Sequence, residues 1–305
     1  MLLRKFPVKI PQFLCGQALG APSARARLYL ECMLPYLHLN LYFFHRDQPT
    51  FGLILWLAAI TAAFIMYRSF HREGVTADAL SIVAVTLVAG MVGAKLWHVV
   101  DTPIEFRYLG WSVLWQTDGF AWFGGMLFGI CALLIQGWWA KIGMLRILDL
   151  AAPAAAIGYG IGRIGCFLSG DGCYGIPITT LHFLSFTFRP WGMSFPNGDI
   201  PVFVPVYPTP LYELAANLLI GGWLWWQGGK QRNAGAIVGQ YLLLSGIARF
   251  LVEFIRRNPK VLWGLSNAQL ASAGAVVAGI ILIWWAARHS VTGPDQVAQA
   301  MEKAA

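Results

Sequence analysis

The chain has 305 residues, 57% of them hydrophobic and only 12% charged, with a mean hydropathy of +0.59. Soluble domains carry roughly 25% charged residues. Half that share, together with 14 tryptophans suited to membrane–water interfaces, excludes an ordinary water-soluble globule and points to a polytopic membrane protein. The net charge of +8 fits topology signals and anionic lipid, not nucleic acid, because no Lys/Arg cluster interleaved with polar residues suggests a groove-binding face.

In chain order, residues 1–45 form an N-terminal segment that carries Arg4, Lys5, Lys9, Arg25 and Arg27. The "FLCG" around Cys15 is a poor lipobox, and no apolar core long enough for a signal peptide precedes it. This segment reads either as interfacial or as an extension ahead of a functional start near Met33. A membrane span needs about 20 apolar residues. Stretches of this kind run over 51–67, 80–100, 120–139, 147–168, 209–226, 235–255 and 268–287. The expected fold is therefore all-α and integral to the membrane, with about seven transmembrane helices in a core spanning residues 46–290.

Cationic side chains follow alternate spans: Arg68, His71 and Arg72; Lys141 and Arg146; Lys230 and Arg232; and Arg288. The positive-inside rule makes that side cytoplasmic, and with it the tail at 291–305. The connectors at 101–107 and 169–207 are then external, as are Arg256, Arg257 and Lys260, which run against the rule. The longest connector, 169–208, is rich in proline and contains the turn signal "FPNGD". Its alternating "PITTLHFLSFTFRP" predicts short extended segments. It reads as a small external subdomain between the fourth and fifth spans.

Ionisable groups inside spans are costly and mark function by default. Lys95 and His98 lie near the outer end of the second span, Arg163 in the fourth, and Arg249 with Glu253 in the sixth. Lys95 also reads as a snorkelling lysine, and His98 as an interfacial histidine. Arg249 and Glu253 are four residues apart and share a helix face. Either they neutralise each other or, with Arg256 and Arg257 a turn further on, they suit a phosphate headgroup.

"GIGRIG" (160–165) matches GxGxxG, but it lies in an apolar helix with no strand before it. Its glycines read as small residues that allow close helix approach and leave room for Arg163 to reach a cavity. The five cysteines, Cys15, Cys32, Cys131, Cys166 and Cys173, show no CxxC or Cys/His spacing, so they imply neither a disulfide framework nor a zinc site. Cys166 and Cys173 are able to pair if they face an oxidising compartment.

"GRIGCFLSGDGCYG" (162–175) resembles the signature of the bacterial prolipoprotein diacylglyceryl transferases, approximately G-R-x-G-N-F-x-N-G-E-x-x-G. In the same order, "GAKLWH" (93–98) resembles the family's G-A-R-L-x-H/Y, and "WFGGM" (122–126) stands where the family has H-G-G. "YPTPLYE" (207–213) is similar to H-P-[ST]-Q-L-Y-E, and "ARFLVEFIRR" (248–257) to G-x-R-F-x-[IV]-E-F-x-R. The resemblance runs from about residue 34 to 288.

The resemblance implies transfer of the diacylglyceryl group from phosphatidylglycerol to the lipobox cysteine thiol of a preprolipoprotein. Glycerol phosphate leaves, a thioether forms, and no metal or nucleotide cofactor takes part. It also implies a bacterial inner-membrane location with the site at the outer leaflet. Arg163 and Arg249 would stabilise the charge gathering on the leaving phosphate, and Glu253 would orient Arg249. Asp171 completes the implied catalytic set. Lys95, His98, Phe123, Gly124, Gly125, Cys166, Gly175 and Tyr212 are the implied substrate contacts.

The sequence departs from the family pattern at several points. Phe123 takes the place of the histidine of H-G-G, Cys166 that of an asparagine, and Tyr207 that of the histidine of H-P-S-Q. The acid is Asp171, with one extra residue before Gly175, and Phe51 stands where the first span has an aromatic hydroxyl. Phe123 can neither take nor hold a proton. The alternatives to a divergent member are a paralogue with another acceptor and a lipid-binding or lipid-transporting protein that has lost the chemistry.

Overall fold

Every apolar stretch folds into a helix, the one open-ended structure that satisfies its own backbone in hydrocarbon. A computed structural model describes residues 35–41, 44–115, 119–178, 181–183, 186–188, 191–228 and 233–289. The expectations for residues 1–32, for Lys230 and Arg232, and for the tail at 291–305 lie outside these residues. A hairpin of β1 (Tyr36–Leu41) and β2 (Phe44–Pro49) spans the boundary expected at residue 45 and leads into α1 (Thr50–Arg72). After α2 (Ala79–Asp101) come the short α3 (Pro103–Leu109) and a 3₁₀ turn (Gly110–Trp115). The remaining helices are α4 (Trp122–Trp139), α5 (Met144–Ser169), α6 (Thr209–Gln227), α7 (Ala236–Val252) and α8 (Asn267–Arg288).

Among the described residues, six of these helices are long and apolar enough to cross a membrane: α1, α2, α4, α5, α7 with its 3₁₀ extension, and α8. The exception is α6, drawn from the sequence as the fifth of seven spans. Its buried face carries Glu213, Asn217 and Gln227, which lower its hydropathy. The outward faces of the bundle are apolar, with Trp56, Phe64, Leu80, Met91 and Leu219 all exposed. Lipid, not water, suits such a surface.

The most extensive helix pairings are α2 with α4, α7 with α8, α1 with α5, and α5 with α6. The first depends on small residues: a Cβ on Gly124 would lie 2.3 Å from both the Gly93 carbonyl oxygen and Trp97 Cβ. At one end of the bundle Ile65, Met66, Phe70, Ile82, Leu133, Ile147 and Leu150 form a continuous apolar core. Beside it lies an ionisable residue inside a span, Asp149, which the sequence reading did not single out. Its carboxylate accepts hydrogen bonds from the backbone N–H groups of Gly235 and Val238, both at 2.7 Å. A side chain of α5 thus caps the first turn of α7, where orphan donors and the helix dipole favour an anion.

At the opposite end, the 169–208 connector forms two hairpins, β3 (Leu181–Phe183) with β4 (Phe186–Phe188) and β5 (Met193–Phe195) with β6 (Val202–Val206). The first falls in the alternating segment, and "FPNGD" turns the second. Tyr174, Met193, Phe195, Val202 and Val206 make a small core there, with Tyr174 stacked on Phe195 at 5.1 Å. After α7, a 3₁₀ turn (Glu253–Ile255) leads into β7 (Lys260–Leu262) and β8 (Leu265–Ser266). Ser266 and Gln269 then form a capping box that starts α8.

Candidate active site

The last turns of α5, the first of α6 and the last of α7 meet beneath this connector. Each delivers a charged side chain. From α5, Arg163 places Nε 2.5 Å from Glu213 Oε2. From α7, Arg249 places Nη1 3.2 Å from Glu213 Oε1 and 2.6 Å from Glu253 Oε2. Arg256, just past the 3₁₀ turn, lies 3.5 Å from Glu213 Oε1 and 3.7 Å from Glu253 Oε2. Three guanidinium groups therefore converge on two carboxylates.

Burial sorts these groups by role. The Glu213 and Glu253 side chains are 2% and 0% exposed, while that of Arg249 is 23% exposed. The carboxylates form a sealed floor, and the arginines remain partly reachable above it. Glu253 Oε1 also accepts hydrogen bonds from Asn258 Nδ2 at 2.6 Å and Ser266 Oγ at 2.7 Å, which fix its orientation. Tyr159, one turn before Arg163, accepts a short hydrogen bond from Arg163 Nη2 and donates to Glu213 Oε2 at 3.4 Å. Arg249 and Glu253 are thus not a self-contained pair, because both belong to a network spanning three elements.

A second group adjoins the first. Gly170 (φ 62°) caps α5 and Gly172 (φ 85°) reverses the chain, returning Cys173 towards Cys166 on the helix. Both values lie where a side chain would be strained. Asp171 Oδ1 accepts the Cys173 N–H at 3.0 Å, and Thr209 Oγ1 donates to the Cys173 carbonyl at 2.5 Å. The two sulfurs and an Asp171 carboxylate oxygen all lie within 4.8 Å of one another. Arg163 Nη1 reaches towards both sulfurs, 3.6 Å from Cys166 and 3.9 Å from Cys173. A hydrogen bond from the Cys166 thiol holds the Cys173 thiol below its usual value against the opposing effect of burial, and Arg256 adds to the lowering.

Arg163, Arg249, Glu253, Asp171 and Cys166 are thus brought together. Gly175 packs its backbone against the residues leading to Arg256: a Cβ there would lie 2.4 Å from the Ile255 carbonyl oxygen. Tyr212 directs its hydroxyl to the Trp191 carbonyl at 3.4 Å, and its neighbour Glu213 is the residue that enters the cluster.

The remaining residues make their contacts around the α2–α4 pair. Lys95 Nζ sits over the Phe120 ring at 4.3 Å, and His98 Nε2 lies 3.4 Å from Glu105 Oε2. Phe123 is 45% exposed, edge-on to Trp122, while Gly124 and Gly125 face Gly93 and Gly90 of α2. Glu213, Tyr159 and Cys173 were absent from the sequence-derived site. The available signal for Glu213 was an acid inside an apolar stretch, the same signal that singled out Arg163.

Chemically, buried and mutually braced guanidinium groups suit a phosphate. They stay charged, present planar donors, and need little rearrangement when an anion arrives.

The family described as prolipoprotein diacylglyceryl transferase matches residues 46–285. A phosphatidylglycerol–prolipoprotein diacylglyceryl transferase of Geobacter sulfurreducens is 32% identical over 276 residues, covering 84% of this chain and 98% of that protein. One from Leptospira interrogans is 30% identical over 70% of this chain and 74% of its own length. Transferase 2 of Clostridium perfringens is 28% identical over 76% of this chain and 89% of its own length. With the match covering most of its length, and the arginine–carboxylate cluster built from the motifs that carry the resemblance, the chain belongs to the prolipoprotein diacylglyceryl transferase family.

Proposed function

We propose that this multi-pass membrane protein transfers the diacylglyceryl group of phosphatidylglycerol to the lipobox cysteine thiol of a preprolipoprotein, using the arginine cluster to handle the phosphate. The observation that carries this reading is the convergence of Arg163, Arg249 and Arg256 on the buried Glu213. As sulfur attacks the glyceryl carbon, the C–O bond to phosphate breaks and negative charge gathers on the departing oxygen. Guanidinium groups already held in place in a water-poor site stabilise that charge without the reorganisation that water would require. Glu213 and Glu253 act as positioning residues: they fix the guanidinium planes and keep mutual repulsion from spreading the arginines apart. Asp171, in the same turn as Cys173, adjoins this group through the two cysteines that Arg163 approaches. The 169–208 connector caps the core, and the cationic ends of alternate spans favour an inner-membrane protein whose site faces the outer leaflet.

One observation favours a second reading. Phe123, at the position of the family's histidine, offers no proton acceptor, and an acceptor other than a thiol would fit that change. A cell depleted of its own transferase and expressing this chain decides between the two. Restored lipidation of a reporter lipoprotein is the expected result. Full-length protein in the membrane with an unlipidated reporter would favour the other acceptor.

A further inference from the structure

We propose that Cys166, Asp171 and Cys173 bind a zinc ion whose fourth coordination position takes the acceptor thiol and delivers it as a thiolate. This rests on the thiol-transfer reading above and deepens it. The three donor atoms lie within 4.8 Å of one another, from a buried helical cysteine and from two half-buried residues of the turn that follows. Zinc takes sulfur at about 2.3 Å and carboxylate oxygen at about 2.0–2.2 Å. Tetrahedral geometry then sets donor separations of about 3.5–3.8 Å, so the gathered side chains need only a small contraction. Three protein ligands with one position left open is the pattern of a catalytic site, not of a structural one.

The charges also balance. Two thiolates and a carboxylate outweigh the dication by one negative charge; Arg163, Arg249 and Arg256 exceed Glu213 and Glu253 by one positive charge, and Arg163, 3.6 and 3.9 Å from the sulfurs, brings that cluster beside them. Donors of this kind around a metal's ligands orient them and tune the site.

The site also meets a need. The family's reaction takes no metal, but this chain has Phe123 where that reaction has a histidine and so offers no base at that position, whereas a metal-coordinated thiol is deprotonated outright. In the resulting step the acceptor S–H proton passes to solvent as sulfur binds the metal. The thiolate then attacks the glyceryl carbon as the C–S bond forms and the C–O bond breaks. Glycerol phosphate leaves with the bonding electron pair. No oxidant or reductant is consumed.

The test uses the full chain in detergent, phosphine-reduced and stripped of metal, titrated with cobalt(II) alone. The expected result is a sulfur-to-cobalt charge-transfer band that Cys166→Ser and Cys173→Ser each weaken. Each should also lower affinity by at least the roughly 10–100-fold lost with even an outer-shell partner. Cys131→Ser, at an exposed position on α4, should leave the band unchanged. A short thiol peptide should intensify the band as a third sulfur binds. A wild-type chain with no band, or a Cys166→Ser/Cys173→Ser double variant with an undiminished one, would overturn the proposal. Chelation that removes the band yet leaves lipid transfer untouched would overturn the metal's role and leave the transferase reading standing. Cobalt binding through both cysteines in a chain that lipidates no thiol would instead defeat the transferase reading.

Discussion

Replacing Glu213 by Gln would leave Arg163, Arg249 and Arg256 facing one another without the buried carboxylate they share. Breaking a buried ion pair by removing one partner costs about 3–5 kcal/mol, because the remaining charge is uncompensated. Glu213→Gln should therefore lower unfolding stability by that order and abolish transfer, which unfolding in detergent and a lipidation assay would measure together. A stable, active variant would show that the arginines are held by something else. Arg249→Lys tests the planar fork without changing charge. A lysine offers a point charge in place of a planar fork that grips a phosphate bidentately while braced on Glu213 and Glu253, and loss of one aligned donor to a developing oxyanion costs about 10²–10³-fold in kcat. Phe123→Ala should cost less than about tenfold, since an apolar ring contributes no proton transfer, whose worth is about 10²–10⁴-fold. A larger loss, seen as a rise in KM, would make Phe123 a wall of the acceptor pocket.

At the scale of elements, the helices were legible because apolar runs of about 20 residues have few other solutions in a membrane. Polarity marked where that reading weakened. Glu213, Asn217 and Gln227 bring α6 below the hydropathy of a span, and Glu213 is also the hub of the site. The alternation of 177–190 foretold short extended segments and "FPNGD" a turn, though not their pairing into hairpins, whereas β7 and β8 are too short to leave a pattern. The sequence allowed Cys166 and Cys173 to pair, but their spacing matches no zinc motif and did not mark a group shared with Asp171. It depends on two left-handed glycines reversing the chain within four residues of the helix end. Asp149 was missed for a similar reason, because its partner N–H groups belong to another helix. Asp149→Ala should remove the cap of α7 and destabilise the protein by about 0.5–2 kcal/mol, the usual worth of an N-cap side chain. An unchanged unfolding transition would mean that α7 is held by packing alone.

At the scale of the whole molecule, the account requires the arginine cluster and the 169–208 connector to share one side of the membrane, opposite the turn between α4 and α5. Asn197→Cys should react with an impermeant maleimide added to intact cells, after removal of any outer envelope, in excess of the parent chain's labelling. Lys141→Cys should react only after permeabilisation. The reverse pattern would put a lipobox thiol on the wrong face. Sidedness and chemistry meet in one reconstitution: purified protein, phosphatidylglycerol labelled in its headgroup glycerol, and a lipobox peptide, with both products quantified by mass. The account predicts lipidated peptide and glycerol phosphate in equal amounts, with both lost together in Arg163→Ala. Glycerol phosphate released without lipidated peptide, or lipidated peptide made at full rate by Arg163→Ala, would contradict it.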